Sequence, residues 1–400
     1  MIVALRDAAA GTSGGKAAAL AALLAAGLPV PDGFVIPFDS FRAAADGLPD
    51  GLRRPLPAGL IGALADGLEE FGDVPVAVRS SADSEDTNDA SGAGQHDSVL
   101  GVRGVHDVAD AVRTCWASLH SARAVSYRRR ADPSGTDQDR PPARPAMAVL
   151  VQRLVDAEVS GVMFTPAGAN DGTAIEASWG LGPSVVGGIV TPDSYRVAAD
   201  GSIDSTISDK RTRIDRDGGR LVTRPVPADA SNRPALDSAE LTRLAAMGHK
   251  IADLLGGPQD VEWAITGGQL WILQSRPVTA AAPQTVGIRT APTATLAGTP
   301  GSHGSATGVA RVVRGADDFH RVRRGDILIC PYTDPGWTPL LRIAAGVVTE
   351  TGGVLCHAAI VARELRIPAV LGCRNATTEI RDGTTITIDG TTGTIVSVPS

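Results

Sequence analysis

His357 is the residue whose neighbours best equip it for chemistry. It follows the Gly352–Gly353 turn by four residues and opens the run AAIVAREL (Ala358–Leu365), whose apolar residues recur at helical spacing. A residue there stands where a helix presents its unbonded N–H groups and the positive end of its dipole. Such a position suits a phosphate. Gly352 and Gly353 supply a turn that an anion can approach closely, and Arg363 supplies a fixed cation for the same anion. Imidazole is available in its neutral form near pH 7, as a nucleophile for phosphorus requires. A lone histidine would read as a cap or a core residue. The glycine turn, the helix start and the arginine together favour phosphate chemistry.

A second constellation lies in GPQDVEWAITGGQLWILQSRPVT, Gly257–Thr279. VEWAI and LWILQSR read as strands joined by Thr266–Gln269, a hairpin signal. Strand alternation sends Glu262, Trp263 and Ala264 to opposite sides in turn and puts Gln274 and Arg276 on one face. A carboxylate and an amide on paired strands are hard oxygen ligands suited to Mg²⁺, which binds few protein groups and shares the phosphates. Arg276 is placed to hold a phosphate tail. Nearer the N-terminus, Gly14–Gly15–Lys16 opens an alanine- and leucine-rich helix and can cradle phosphates, although the GxxxxGK[ST] spacing is absent. The strand Val74–Arg79 runs into a long polar loop bearing Arg79, Ser80, Ser81, Gly92 and Gly94, a candidate flap over a triphosphate.

These segments carry a family resemblance. TGGVLCHAAIVARELRIPAVLG resembles the phosphohistidine motif of phosphoenolpyruvate synthase, pyruvate phosphate dikinase and rifampicin phosphotransferase, with Cys356 where Ser is common. GGKAAALAALLAAGLPVPDGFVI, the Arg79–Ser81 loop and PQDVEWA…LQSRP resemble the nucleotide-binding domain of the same superfamily, an ATP-grasp fold. The resemblance implies that His357 is phosphorylated and carries the phosphoryl group between two sites. It implies that Lys16, Arg79, Arg123 and Arg276 contact nucleotide phosphates, that Met147–Gln152 lines the adenine slot, and that Glu262 and Gln274 hold Mg²⁺ with ATP. Two positions depart from the family pattern: Gly92 stands where Phe is common, and Pro183 where GLGE has its glutamate.

The elements that must position these groups form a mixed α/β and α+β multidomain chain, since 400 residues exceed what one core usually covers. The expected order is an ATP-grasp nucleotide-binding domain over 1–280, a linker over 281–306 rich in Ala, Pro, Thr and Gly, and a small swivelling phosphohistidine domain over 307–400. Helices are expected over Ala17–Leu28, Asp107–Arg130 and Leu241–Leu255, and Asp132–Pro145 reads as an exposed loop. The basic cluster Lys210, Arg211 and Arg213 reads as a solvated face. Net charge of −7 and 4% aromatics argue against nucleic acid as a partner. The uncharged Ala17–Leu28 stretch is too short to span a bilayer. Four scattered cysteines without CxxC signal neither disulfides nor zinc and fit a reducing, cytoplasmic setting.

The expected activity is that of an AMP-forming dikinase. Mg-ATP phosphorylates His357 with release of AMP and phosphate, and the His domain swings to deliver the phosphoryl group to a small-molecule acceptor. A barrel of the kind that binds pyruvate in the dikinases needs roughly 200 or more residues, more than follow the His357 motif in this sequence. The acceptor is therefore expected on the two domains themselves or on a separate subunit. The alternative is a phosphocarrier or regulatory module that passes phosphate to a partner protein.

Overall fold

The computed structural model describes residues 1–45, 55–72, 74–83, 98–121, 124, 145–168, 171–280 and 296–398. The chain divides into two compact units. One comprises Met1–Glu158, Asp215–Thr223 and His249–Pro277; the other comprises Val159–Ile214, Arg224–Gly248 and Val278–Ser400.

The first unit is built on an antiparallel sheet of five strands. In spatial order they are Val3–Ala4, Gly33–Ile36, Met147–Arg153, Val76–Ala82 and Ser98–Val102. Val76, Val78, Val149 and Val151 are fully buried on its central strands, as β-branched residues with both faces covered should be. The helix Val105–Ser118 packs on the sheet, and its Trp116 donates Nε1 to Met147 O at 3.2 Å. This helix ends at Ser118, short of the expected Arg130; residues 122, 123 and 125–144 lie outside the described residues. The N-terminal helix, Ala10–Ala25, is broken at Gly14 (φ 80°, ψ 167°). A Cβ on Gly14 would stand 2.3 Å from Ser81 Oγ and 2.5 Å from Ser81 O, so glycine is what allows the helix to meet the strand. The hairpin of Gln259–Thr266 and Gln269–Pro277 turns through Gly267 and Gly268, both at positive φ, as the Gly-Gly signal predicts.

The second unit holds a meander of Val159–Phe164, Thr173–Trp179, Asp193–Val197 and Ile203–Thr206. Lys210 corrects the reading of a solvated basic face. It is wholly buried, and its Nζ meets Asp193 Oδ1 at 2.6 Å and Ser208 O at 2.9 Å. Asp193 also accepts from Tyr195 Oη, Ser208 N and Ala235 N, so the buried carboxylate is fully engaged. Arg211 behaves as expected of the surface, pairing with Asp209 while two-thirds exposed.

The same unit carries an eight-stranded sheet. Ser305–Val312, Ile327–Cys330, Gly346–Thr349 and Ala369–Leu371 run parallel at its centre. Leu328, Cys330, Val347 and Leu371 face one core with helix His357–Leu365, while Ile327, Ile329, Val348 and Val370 face the other. The stretch expected to be linker contributes strands from Leu296 onward: Leu296–Ala297 pairs with Thr394–Ile395, and Thr299–Ser302 with Ala369–Leu371. Its small residues serve close approach. A Cβ on Gly298 would lie 2.5 Å from Leu371 O, and one on Gly301 2.6 Å from Leu371 Cδ1. Residues 281–295 lie outside the described residues.

Removing one partner of a buried ion pair costs about 3–5 kcal/mol because the other charge is stranded. Lys210→Met should therefore lower the urea midpoint of unfolding sharply, whereas Arg211→Met should leave it nearly unchanged. Equal effects would place Lys210 at the surface.

Candidate active site

The loop that bears His357 follows from the parallel sheet. Two neighbouring strands, Ile327–Cys330 and Gly346–Thr349, end at the same edge, where connecting loops of α/β sheets commonly bind ligands. From the first comes Thr333; from the second comes the turn through Gly352 and Gly353. Cys356 takes the N-cap position and His357 is the first residue of helix His357–Leu365, as its sequence predicts. His357 is only 6% exposed, and its Nδ1 lies 2.8 Å from Thr333 Oγ1. In the tautomer in which Nδ1–H donates to Thr333, the lone pair is on Nε2.

The glycine turn does receive an anion, and it is the protein's own. Glu176 Oε1 accepts from Val354 N at 2.6 Å and Oε2 accepts from Leu355 N at 3.1 Å. A Cβ on Gly353 would lie 2.2 Å from Glu176 Oε1. Gly352 (φ +103°) packs near Gly188, and Thr351 Oγ1 donates to Gly188 O at 2.6 Å. Burial pushes the Glu176 carboxyl up to about 7, against the pull of the Leu355 and Val354 amides and of Arg363. Arg363, expected to face a phosphate, donates Nη1 to Val354 O at 2.7 Å and Gly301 O at 3.0 Å. It fastens the turn from behind instead.

The nucleotide-facing candidates gather in the first unit. The cross-strand register pairs Glu262 with Gln274 and Asp260 with Arg276. Gln274 Nε2 is 3.4 Å from Glu262 Oε1, and Arg79 Nη1 donates to Glu262 Oε2 at 3.2 Å. A bulge between Glu262 and Trp263 breaks the simple alternation expected there; bulges beside sites commonly re-aim a side chain. Trp263 is fully buried and Glu262 is not. Arg276 is gripped by Asp260, with Nε at 2.8 Å and Nη2 at 2.7 Å from Oδ2. Lys16 lies in the first turn after the Gly14 break, next to Ala17, whose N–H donates to Ser81 Oγ at 3.4 Å. Gln152 is 1% exposed and donates Nε2 to Pro31 O at 3.3 Å, a tie between the strand and the turn before Gly33. Arg123 and Gly92 lie outside the described residues. Pro183 occupies the first turn of a short helix, Pro183–Val186, where proline is well accommodated.

Among the described residues no three or more His, Cys, Asp or Glu side chains gather into a metal cluster. A cation at Glu262 and Gln274 would therefore draw its other ligands from phosphates and water, as Mg²⁺ commonly does. The donors fit that ion: a carboxylate now neutralised by Arg79 and an amide whose oxygen can turn to it.

Sequence reasoning missed Glu176 and Thr333. The signal for Glu176 was a lone carboxylate inside the apolar strand sequence TAIEASW; for Thr333 it was a hydroxyl in the loop after the strand Ile327–Cys330, just before Asp334–Pro335–Gly336.

One unit thus carries a carboxylate, an amide and guanidinium groups on one hairpin and its neighbouring strand, and the other carries a buried histidine that opens a helix behind a glycine turn. Residues 51–294 match the pyruvate phosphate dikinase AMP/ATP-binding domain, and residues 322–393 match the PEP-utilising enzyme mobile domain. The chain belongs to the pyruvate phosphate dikinase family, with a nucleotide-binding domain of that family followed by a PEP-utilising mobile domain, in a mixed α/β architecture. It is 38% identical to a probable phosphoenolpyruvate synthase of Methanothermobacter thermautotrophicus, over 96% of this chain and 61% of that protein. It is 36% identical to one of Archaeoglobus fulgidus, over 96% and 56%, and 39% identical to a phosphoenolpyruvate synthase of Pyrococcus furiosus, over 82% and 42%. The chain thus spans between two-fifths and three-fifths of the length of these relatives. No helix among the described residues is long and apolar enough to cross a membrane.

Burial holds the Cys356 thiol at about 11, despite the opposing pull of the Ala359 and Ala358 amides. Its thiolate fraction at pH 7.5 is then on the order of 10⁻⁴–10⁻³, too small for a redox switch. Cys356 should resist iodoacetamide in the folded protein, and Cys356→Ser should retain activity. Rapid alkylation of native Cys356, followed by mass spectrometry, would contradict this packing role.

Proposed function

We propose that this chain is an AMP-forming, dikinase-type phosphotransferase in which His357 takes a phosphoryl group from ATP. The observation that carries the reading is the placement of His357. It opens a helix behind a glycine turn, with Nδ1 engaged by Thr333, in a chain that also bears the Arg79–Glu262–Gln274 cluster of a nucleotide site. Nε2 attacks the β-phosphorus of ATP; the bond to the α-phosphate oxygen breaks, and AMP leaves. The terminal phosphate is then lost to water, and His357 keeps one phosphoryl group. Thr333 holds the imidazole by Nδ1, and with it the proton, through the attack. Lys16, Arg79 and Arg276 offset charge on the phosphates, the main task of a protein in phosphoryl transfer. Mg²⁺ held by Glu262 and Gln274 would neutralise further phosphate charge. Asp260, opposite it on the neighbouring strand, braces Arg276, and Gly14 lets the Lys16 turn reach Ser81.

The phosphoryl group goes on to a small-molecule acceptor. The names of the relatives make pyruvate the first to try, giving phosphoenolpyruvate. One histidine must meet ATP and acceptor in turn, which requires the phosphohistidine domain to move between them. Location in the cytoplasm fits a chain that draws on ATP.

The test uses ATP labelled at the β-phosphate. The protein should form AMP and an acid-labile, base-stable phosphohistidine carrying the label, and His357→Ala should abolish both while still binding nucleotide. Accumulation of ADP, or label retained only from the γ-position, would overturn the AMP-forming reading. Glu262→Ala should weaken Mg²⁺-dependent ATP binding about tenfold or more, as loss of a charged metal ligand does, with little change in thermal unfolding. Failure of that variant to fold would make Glu262 a structural residue.

A further inference from the structure

We infer that Glu176 is a positioning residue for His357, its carboxyl seating the turn that presents the carrier imidazole. The geometry is specific. Both carboxyl oxygens are taken, one by Val354 N and one by Leu355 N, three and two residues before His357. The same peptide segment is held from the other side, where Arg363 Nη1 donates to Val354 O. The Val354 residue is thus bracketed by an acid on its N–H and a base on its C=O. Gly353 completes the seat, since any side chain there would collide with the carboxyl. Gly188 packs against Cys356 and Gly352 and accepts from Thr351, so the neighbourhood of the Thr173–Trp179 strand grips the turn at more than one point.

Glu176 is 2% exposed and sits mid-strand, between register partners Val162 and Ser194, neither of which titrates. The charged and titratable groups that face it are Arg363 and the Cys356 thiol. Nothing in strand packing calls for a carboxylate at this position; an apolar residue would be cheaper to bury. Its two bonds to the turn account for it. The seat is also sensitive to protons. The carboxyl titrates near 4.5 when unperturbed and is pushed up to about 7 on the turn, so seating it takes up a proton. The contact is therefore strongest below the unperturbed value and weakens as pH rises through about 7.

The kinetic part of this inference rests on the proposed phosphohistidine reaction; the contact does not. Hydrogen exchange on the full chain reads the Val354 and Leu355 amides directly. Glu176→Ala should lose about tenfold or more of their protection, corrected for intrinsic rates. Glu176→Gln keeps one acceptor oxygen and should retain part of it. Between about pH 5 and 8 the protection should fall in the unaltered protein and stay level in Glu176→Gln, which cannot titrate. A purely structural glutamate would show no such difference. Phosphoenzyme formation at saturating ATP should drop on the order of ten- to a hundredfold in Glu176→Ala, the scale of a misplaced reacting group. ATP affinity should stay the same, and Glu176→Gln should recover part of the rate. If Glu176→Ala does not fold, Glu176→Gln and the pH series decide alone. Full protection and full phosphorylation rate in the variants, or level protection in the unaltered protein, would overturn the inference. If the unaltered protein takes no label from ATP, the proposed function fails, and the exchange result still judges the contact.

Discussion

One backbone segment, Gly353–Leu355, is held by an acidic side chain on one side and a basic one on the other, and the placement of His357 depends on that grip. Two peptide N–H groups meet the Glu176 carboxyl, and the Val354 C=O accepts a charge-assisted bond, the stronger class, from the Arg363 guanidinium. Glu176 and Arg363 each lie in a rigid element, one in a strand and one in the helix that His357 begins. The turn between them therefore has little freedom, even though its glycines give it the softest backbone in the region. Thr333 adds a third fixed point from the neighbouring strand end. The imidazole inherits its direction from these supports, since a residue at the start of a helix can only point where the turn before it leads.

The nucleotide group obeys a similar economy of few supports. Glu262 carries a negative charge beside Arg79 and Gln274, and the bulge after it sets that carboxylate apart from the buried Trp263. The pairing of Asp260 with Arg276 lies two residues along the same ladder. Alternating residues of one hairpin thus present an amide, a carboxylate and a braced guanidinium in sequence. A polyphosphate with its metal is a string of alternating demands of the same kind.

Much of this was legible in the sequence because its signals are local. A glycine pair, a histidine and a helical run follow one another directly along the chain, and so do the hairpin strands and their Gly-Gly turn. What escaped were bonds between residues far apart along the chain. Glu176 and Val354 are 178 residues apart, and nothing in either neighbourhood names the other. Lys210 looked like part of a basic surface because its partner, Asp193, is supplied by another strand. Arg363 had the right charge for a phosphate, yet two carbonyls reach it first. Composition misled once: the Ala-, Thr- and Gly-rich stretch after Leu296 looked like tether, but its small residues are what let strands pack tightly on Leu371. Small residues signify either looseness or close contact, and only the partner tells which.

The pairing of Leu296–Ala297 with Thr394–Ile395 has a different kind of consequence. The first and last strands of the eight-stranded sheet lie side by side, so the chain comes into this fold and leaves it at a single edge. A fold with that geometry resembles a bead with both holes on one side. It can be joined to other domains without pulling on its own core. Chains that share this fold can differ in what surrounds it, and the groups that meet its glycine turn, as Glu176 does here, then come from those surroundings.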